Sequence, residues 1–253
     1  MNEGAVGRPL TIVVHVTAGV SALVIAAMLG PRQGFPHGTR PPHAPWMVMV
    51  GASLLWVGWF GFNAGSALSA GGDAGMALLV THLSAASATI VWMTIEWLRF
   101  GKPSLVGAVT GTIAGLAAIT PAAGVIGPLA AVLLGASAGG VCFAAVLLVK
   151  QVIQVDDALD VLGVHGVGGA LGTLALPFLS VVGTGGAPLA HGIAGQFAAQ
   201  ALGVASVALW SALATVIITK LAALTVGLRI DPEGETIGLD FAAHGETGYH
   251  VMR

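Results

Sequence analysis

The chain has 253 residues, of which 56% are hydrophobic and 8% charged, and its mean hydropathy is +0.91. A soluble domain carries about 25% charged residues, so this chain cannot cover a soluble surface, and we expect its surroundings to be the lipid bilayer. The formal net charge of −2 provides no basic field for nucleic acid, and the single cysteine, Cys142, excludes an internal disulfide.

Seven segments are long and apolar enough to cross a membrane, since a spanning helix needs about 20 mainly apolar residues. Proline, glycine or charged residues separate each segment from the next. The sequence therefore predicts an all-α membrane protein with about seven transmembrane helices. Their approximate bounds are 10–30, 46–69, 75–98, 104–121, 125–149, 161–181 and 197–228.

Basic residues occur in every second connection, and only Arg8 departs from this pattern. Cytoplasmic loops of membrane proteins carry an excess of lysine and arginine. We therefore expect residues 1–9 to lie outside, residues 229–253 to form a cytoplasmic tail, and the protein to reside in the inner or plasma membrane. The basic residues are Arg32 and Arg40 in the first loop, Arg99 and Lys102 in the third, Lys150 in the fifth, and Arg229 at the start of the tail.

Histidines interrupt the apolar segments at three positions. His15 lies in segment 10–30 and His165 in segment 161–181. An ionisable residue at bilayer depth is a functional candidate, because hydrocarbon penalises its charge and its unpaired polar groups. A structural hydrogen bond between helices is equally compatible with composition alone. For the third histidine, His82, we favour a structural role.

Three residues of the second segment share one helix face. Trp59, Phe62 and Ser66 follow the spacing i, i+3, i+7. Aromatic faces attract small cations, and a hydroxyl offers a lone pair. The pattern is compatible with a cation site, and also with ordinary aromatic packing.

Asp156, Asp157 and Asp160 precede the sixth segment. Aspartates at a helix start accept hydrogen bonds from its free N–H groups and favour the positive end of its dipole. We therefore interpret Asp157 and Asp160 as helix-start residues. The sequence shows no zinc-ligand spacing, phosphate-binding loop or nucleophile–base pair, so we expect neither an enzyme nor a bound cofactor or metal.

Six stretches, taken in order, resemble the ammonium transporter (Amt/Mep/Rh) family from about Thr11 onward. The stretches are Val13-Val-His-Val-Thr-Ala-Gly19, Leu55-Trp-Val-Gly-Trp-Phe-Gly-Phe-Asn-Ala-Gly-Ser66, Gly101-Lys-Pro-Ser104, Ile119-Thr-Pro-Ala-Ala-Gly124, Asp156-Asp-Ala-Leu-Asp-Val-Leu-Gly-Val-His-Gly-Val-Gly-Gly169 and the tail from Gly238-Leu-Asp to His244-Gly-Glu246.

The resemblance implies ammonium or ammonia as the transported species and a pore in each protomer of a homotrimer. It places His15 and His165 as a hydrogen-bonded pair in that pore, with Trp59 lining it and Phe62 at its outer gate. Ser66 and Trp59 would recruit the cation, which loses its proton before ammonia crosses. The tail would lie near the surface where PII-type signal proteins bind.

The resemblance covers only part of the family pattern. The family pattern has eleven membrane spans. This chain resembles spans five to eleven of that pattern and lacks the first four. An aspartate that the family places eight residues before the first histidine would fall at Gly7.

Because four spans of the family pattern are missing, two alternatives stay open: a non-conducting structural or regulatory subunit of a transporter trimer, or an incomplete gene model. A seven-span receptor is disfavoured by the motifs and by Lys220, which lies too near the end of the last span to anchor retinal.

Overall fold

The computed structural model describes residues 9–38, 41–189 and 191–248, with side chains in the first helix from Val14 onward. These residues form seven main helices, two short tail helices and two π-helical segments. The main helices are α1 (Pro9–Leu29), α2 (Pro45–Gly65), α3 (Gly72–Phe100), α4 (Leu105–Ile119), α5 (Pro128–Leu147), α6 (Val167–Leu179) and α7 (Gly192–Thr225). The tail helices are α8 (Pro232–Ile237) and α9 (Leu239–His244), and the π-helical segments are Leu148–Ile153 after α5 and Leu162–Gly166 before α6.

The predicted all-α fold is confirmed for these residues. Five helices are long and apolar enough to cross a membrane, while Val14–Leu29 and Leu105–Ile119 are shorter apolar helices. Most residues of α4 are buried inside the protein. A short helix that other helices surround has little need to match the full thickness of the hydrocarbon layer.

Local signals set several helix ends. Pro45 and Pro128 occupy the first turns of α2 and α5, where a missing N–H costs nothing. The Ser104 hydroxyl caps α4 by accepting a hydrogen bond from the Gly107 N–H at 2.8 Å. Gly101 ends α3 in the left-handed conformation, with φ of 81°.

Some observed bounds differ from the predicted segments. The second segment was predicted to reach residue 69, but α2 ends at Gly65, and Leu68 has a positive φ of 60° that a helix cannot contain. The last helix begins at Gly192 rather than at 197. Of the predicted outer segment 1–9, residues 1–8, which include Gly7, lie outside the described residues, and Pro9 already belongs to α1.

The first and last main helices run in the same direction. Ser211 donates to Thr17 at 3.2 Å, and Thr215 donates to Ser21 at 2.9 Å, so α7 runs parallel to α1. Arg32, Lys150 and Arg229 lie at one end of the helices, since Arg32 lines one cavity with Lys150 and another with Arg229.

The helices α3, α4 and α5 pack closely against one another. A Cβ atom added at Gly135 would lie 2.2 Å from the Ser84 carbonyl oxygen, and one added at Gly115 would lie 2.5 Å from it. Small residues let membrane helices approach this closely. In contrast, only 11% of the residues in the most apolar stretch of α2, and likewise of α7, are buried inside the protein. These two helices therefore leave large apolar faces uncovered.

Candidate functional site

His15 and His165 contact each other although they are 150 residues apart in sequence. His15 lies in the first third of α1, and His165 lies in the π-helical segment before α6. Their Nδ1 atoms are 3.2 Å apart, and their ring centroids are 5.3 Å apart with an interplanar angle of 23°. The structure thus brings together the two histidines that the sequence singled out.

Glycines allow this meeting. A Cβ atom at Gly19 would lie 2.3 Å from the Gly166 Cα, and a Cβ atom at Gly169 would lie 2.6 Å from the His15 Cβ. Real Cβ atoms do not approach other atoms so closely. The histidine pair therefore requires glycine where α1 crosses the start of α6.

The contact between two Nδ1 atoms fixes the protonation pattern of the pair. A hydrogen bond needs one N–H donor and one lone pair, so two neutral rings must adopt opposite tautomers. One Nε2 atom then carries a proton, and the other carries a lone pair. His15 is 3% exposed, and its Nε2 has no hydrogen-bond partner among the described residues. A buried polar atom of this kind is costly unless a ligand or water satisfies it.

Trp59 covers the histidine pair from α2. Its ring stacks on His15 at 5.4 Å and 14°, and lies 6.4 Å from His165 at 11°. The indole Nε1 donates to the Thr120 Oγ1 at 2.8 Å, and the Thr120 hydroxyl donates in turn to the Leu116 carbonyl at 2.7 Å. Thr120 therefore fixes the orientation of the indole plane over the histidines.

Phe62 lies beside Trp59 on the same helix. The two rings meet edge to face at 6.3 Å and 78°, and Phe62 is 45% exposed. Phe62, Trp59 and both histidines line an apolar cavity of about 710 Å³. Its other lining residues include Leu54, which is 70% exposed, so the cavity opens along the uncovered face of α1 and α2.

Ser66 and Trp59 line different cavities, and their joint role in recruiting the cation stays a prediction. Ser66 follows the last residue of α2, and its hydroxyl donates to the Phe62 carbonyl at 2.7 Å. It lines a separate pocket of about 110 Å³ with Asn63, Asp73 and Thr120. Thr120 is the link, since it lines this pocket and also holds Trp59.

A third cavity, of about 970 Å³, reaches the pair from the end that carries the basic residues. His165 and Trp59 line its inner part, and Arg32, Lys150 and Asp160 line it further out. Lys150 Nζ pairs with Asp160 Oδ1 at 2.5 Å. Burial raises the pKa of the Asp160 carboxyl, and the neighbouring Lys150 opposes that rise.

The three aspartates before α6 have different roles. Asp157 accepts hydrogen bonds from the backbone N–H groups of Val161 and Leu162 at 2.9 and 2.7 Å, which is the geometry of a helix-start residue. The Asp160 carbonyl accepts a hydrogen bond from the Val164 N–H at 2.8 Å, its side chain pairs with Lys150, and its backbone has φ of 58°. A non-glycine residue in this conformation is uncommon and is often found at functional positions.

Asp156 joins two loops at the basic end. Its carboxylate accepts from the Arg32 backbone N–H, Nε and Nη2, each at 2.8 Å. The hydrogen bonds to the guanidinium hold the pKa of this carboxyl below its ordinary value. The α1–α2 loop in turn contacts the tail, since Gln33 donates to the Pro232 carbonyl at 3.1 Å.

His82 does not join the histidine pair. It lies on the exposed side of α3, where its ring stacks on Trp56 at 5.2 Å and lies 6.2 Å from Phe60. No group of three or more metal-ligating side chains occurs among the residues that the structure describes.

Four contributors to the site had no role assigned from the sequence. Thr120 and Asn63 lie inside the motifs, and a polar amide in an apolar span could have marked Asn63. Lys150 was identified only as a basic loop residue, and the sequence assigned no role to Asp73. Their contacts depend on helix packing, which sequence spacing does not reveal.

Comparison with known proteins agrees with these observations. The model of the Ammonium Transporter Family matches residues 10–249. The ammonium transporter of Mycobacterium tuberculosis (strain ATCC 25618 / H37Rv) is 44% identical over 248 residues, which cover 93% of this chain and 51% of that protein. The ammonium transporter of Bacillus subtilis (strain 168) is 41% identical over 241 residues, covering 94% and 59%.

Solved structures show the same relationship. A structure described as a sensor Amt protein superimposes with a TM-score of 0.85 at 29% identity, over 95% of this chain and 60% of that one. The crystal structure of Saccharomyces cerevisiae Mep2 gives a TM-score of 0.79 at 31% identity, over 91% and 55%. The predicted resemblance to part of the ammonium transporter fold is confirmed.

The chain spans about half the length of the first curated relatives that it matches. The family consists of multi-pass membrane transporters, which confirms the prediction that the chain is not an enzyme. Because the family model matches nearly the whole sequence, the chain belongs to the ammonium transporter family.

Proposed function

We propose that this chain forms an ammonium-conducting pore whose centre is the His15–His165 pair. The observation that carries the proposal is the buried Nε2 of His15, which has no partner among the described residues while its Nδ1 is held by His165. The opposite tautomers place a lone pair on one Nε2 and a proton on the other. Neutral ammonia can donate to the first and accept from the second.

Conduction through this pair avoids moving a charge through hydrocarbon, which is costly. Ammonium is recruited outside, near Ser66 and Trp59, and releases one proton to leave ammonia. Ammonia passes Phe62 and the histidine pair and enters the cavity lined by Lys150. The proton either crosses separately along the histidines or returns outside, and a net ammonium-dependent current from reconstituted protein would identify the first route.

The proposed orientation rests on the distribution of basic residues. Arg32, Lys150 and Arg229 lie at one end of the helices, and the positive-inside rule assigns that end to the cytoplasm. The N-terminus would then face outward and the tail inward, in the inner or plasma membrane. We further propose a homotrimer with PII-type signal proteins as partners at the cytoplasmic end.

The open side of the pore bears directly on conduction. Phe62, Trp59 and the histidines line a cavity that α1 and α2 leave uncovered on one side. We propose that helices additional to the seven described here close this side when the protein conducts. The same opening favours a second candidate function, a non-conducting structural or regulatory subunit of a transporter trimer.

The test is ammonium-dependent growth, together with methylammonium uptake, in cells that lack their own transporters. We expect His15→Ala and His165→Ala to abolish uptake, because each removes one half of the hydrogen-bonded pair. His82→Ala is the matched control, since it removes a membrane histidine outside the pore. Wild-type uptake in both pore variants would refute the pore assignment. A wild-type chain that inserts and trimerises without uptake would support the subunit function.

A further inference from the structure

We propose that the ion pair between Lys150 and Asp160 positions His165, by holding the backbone from which the His165 segment begins. Both are positioning residues, because they act on the histidine through the backbone and not on ammonia. The inference rests on the proposed function only for its transport readout, since the contact between the two histidines can be measured without conduction.

The Asp160 backbone leads directly into the π-helical segment Leu162–Gly166. Its carbonyl accepts a hydrogen bond from the Val164 N–H at 2.8 Å, and His165 is the next residue in the chain. A rotation of the Asp160 backbone therefore moves Val164, and with it the ring of His165. The tolerance is small, because the Nδ1 atoms of His165 and His15 are 3.2 Å apart and a hydrogen bond ends near about 3.5 Å.

Asp160 holds a backbone conformation that needs support. Its φ of 58° lies in the left-handed region, which side chains other than glycine, asparagine and aspartate seldom adopt. In that conformation its Oδ1 lies 2.5 Å from the Lys150 Nζ, with the Asp160 side chain 22% and the Lys150 side chain 29% exposed. Salt screens a partly buried pair less than a pair in open solvent. The ion pair can therefore hold the left-handed turn in place.

Lys150 is itself fixed relative to the His165 segment. It lies in the π-helical continuation of α5, and π-helical turns of this kind are frequent at functional sites. The end of α5 packs closely on the segment, since a Cβ atom added at Gly163 would lie 2.6 Å from the Val146 Cγ2 and 3.2 Å from the Val146 Cα. The lysine thus anchors Asp160 to the packed end of α5.

The surroundings make Asp160 depend on this partner. Burial raises the pKa of its carboxyl, Lys150 opposes that rise, and Asp157 adds to it. Arg32 also opposes the rise, but its guanidinium is already bound by Asp156. Without Lys150, the carboxylate would be a partly buried charge without a close partner, which is costly. It would turn toward water or take up a proton, and either change releases the turn.

The test combines two measurements on variants of the pair. Nitrogen-15 solid-state NMR of histidine-labelled protein in liposomes detects the hydrogen bond between the two Nδ1 atoms through their coupling, and methylammonium uptake gives the maximal rate and KM. We expect Lys150→Met and Asp160→Asn each to abolish the coupling and to lower the maximal rate five- to tenfold. KM should stay within twofold, because the outer pocket is unchanged. The double variant should lose no more than either single variant, because all three remove one interaction.

Three further variants separate the ion pair from other effects. Lys150→Arg keeps the pair and should retain the coupling and the uptake rate within twofold. Asp160→Gly accepts a left-handed backbone without strain but lacks the carboxylate, so it should lose the coupling as Asp160→Asn does. Lys102→Met is the matched control, because it removes a lysine that forms no ion pair within the described part of the chain, and it should behave like the wild type.

Three results would overturn the inference: an intact coupling in Lys150→Met and Asp160→Asn, a wild-type coupling in Asp160→Gly, or no coupling in the wild type. The second would mean that the backbone conformation suffices without the pair. Failure of the proposed function has a different signature. If the wild type shows the coupling, loses it in Lys150→Met and yet transports no ammonium, the positioning role is supported and the conduction proposal is not.

Discussion

Substitution of Gly19 by alanine should separate the histidine pair without removing any of its polar atoms. The new Cβ would lie 2.3 Å from the Gly166 Cα and 2.5 Å from its N atom, and ordinary contacts begin near 3.4 Å. Both opposing atoms belong to the backbone, so no flexible side chain can yield. The two segments must therefore separate by about 1 Å at this crossing.

The separation acts directly on the pair, because His165 adjoins Gly166 and His15 lies one helical turn before Gly19. The Nδ1 atoms are 3.2 Å apart, and a hydrogen bond no longer exists beyond about 3.5 Å. A shift of about 1 Å should break it. Overpacking of this kind costs about 1–3 kcal/mol, so we expect the variant to fold and insert with reduced stability.

The assay is methylammonium uptake normalised to the amount of protein in the membrane. We expect Gly19→Ala to lower the rate of methylammonium uptake at least tenfold. Gly140→Ala is the control, because a Cβ atom there meets nothing within 4 Å, and it should transport like the wild type. Wild-type uptake by a stably inserted Gly19→Ala protein would refute the argument that glycine packing maintains the pair.

Two further predictions concern the supports of the pore. Thr120→Val removes the acceptor of the Trp59 indole N–H, which should lower the free energy of unfolding by about 1–3 kcal/mol and the rate of uptake severalfold. The measurements are methylammonium uptake and the thermal stability of the purified protein. Unchanged uptake would show that the orientation of the indole is unimportant. Asp156→Asn removes the charge that Arg32 binds and should lower the free energy of unfolding by about 1–3 kcal/mol, seen as a lower melting temperature at pH 7. Because Arg32 depresses the pKa of Asp156 in the folded protein, this stabilisation is complete above the ordinary value of 3.8 and is lost as the pH falls through the folded pKa. The difference between the wild type and Asp156→Asn should therefore persist at pH 5, and its disappearance there would contradict the assignment.

The sequence-based prediction was strongest where the information is local. Long apolar segments separated by breakers predicted the helices, because lipid requires every backbone polar group to be satisfied within its own helix. Bounds were less accurate. The end of α2 depends on the positive φ of Leu68, which no apolar pattern indicates.

The prediction was weakest for contacts made by polar side chains. Asp157 and Asp160 were both interpreted as helix-start residues, and the sequence did not indicate the additional pairing of Asp160 with Lys150. Trp59 and Ser66 line different cavities, a separation that the sequence did not indicate, and their joint role in recruiting the cation stays a prediction. Residues on one helix face share a direction, and whether they share a cavity depends on which neighbouring helix, here α4 with Thr120, lies between them.

By itself, the sequence determined that the chain is an all-helical membrane protein and that His15 and His165 are ionisable residues inside its apolar segments, because hydrophobicity and motif order can be read residue by residue. Only the tertiary structure decided that these histidines share a hydrogen bond at 3.2 Å. That contact depends on the close crossing of α1 and α6 at Gly19 and Gly166. The structure also decided that Ser66, Asn63 and Asp73 line one pocket, since that grouping follows from the packing of α2 against α3 and α4.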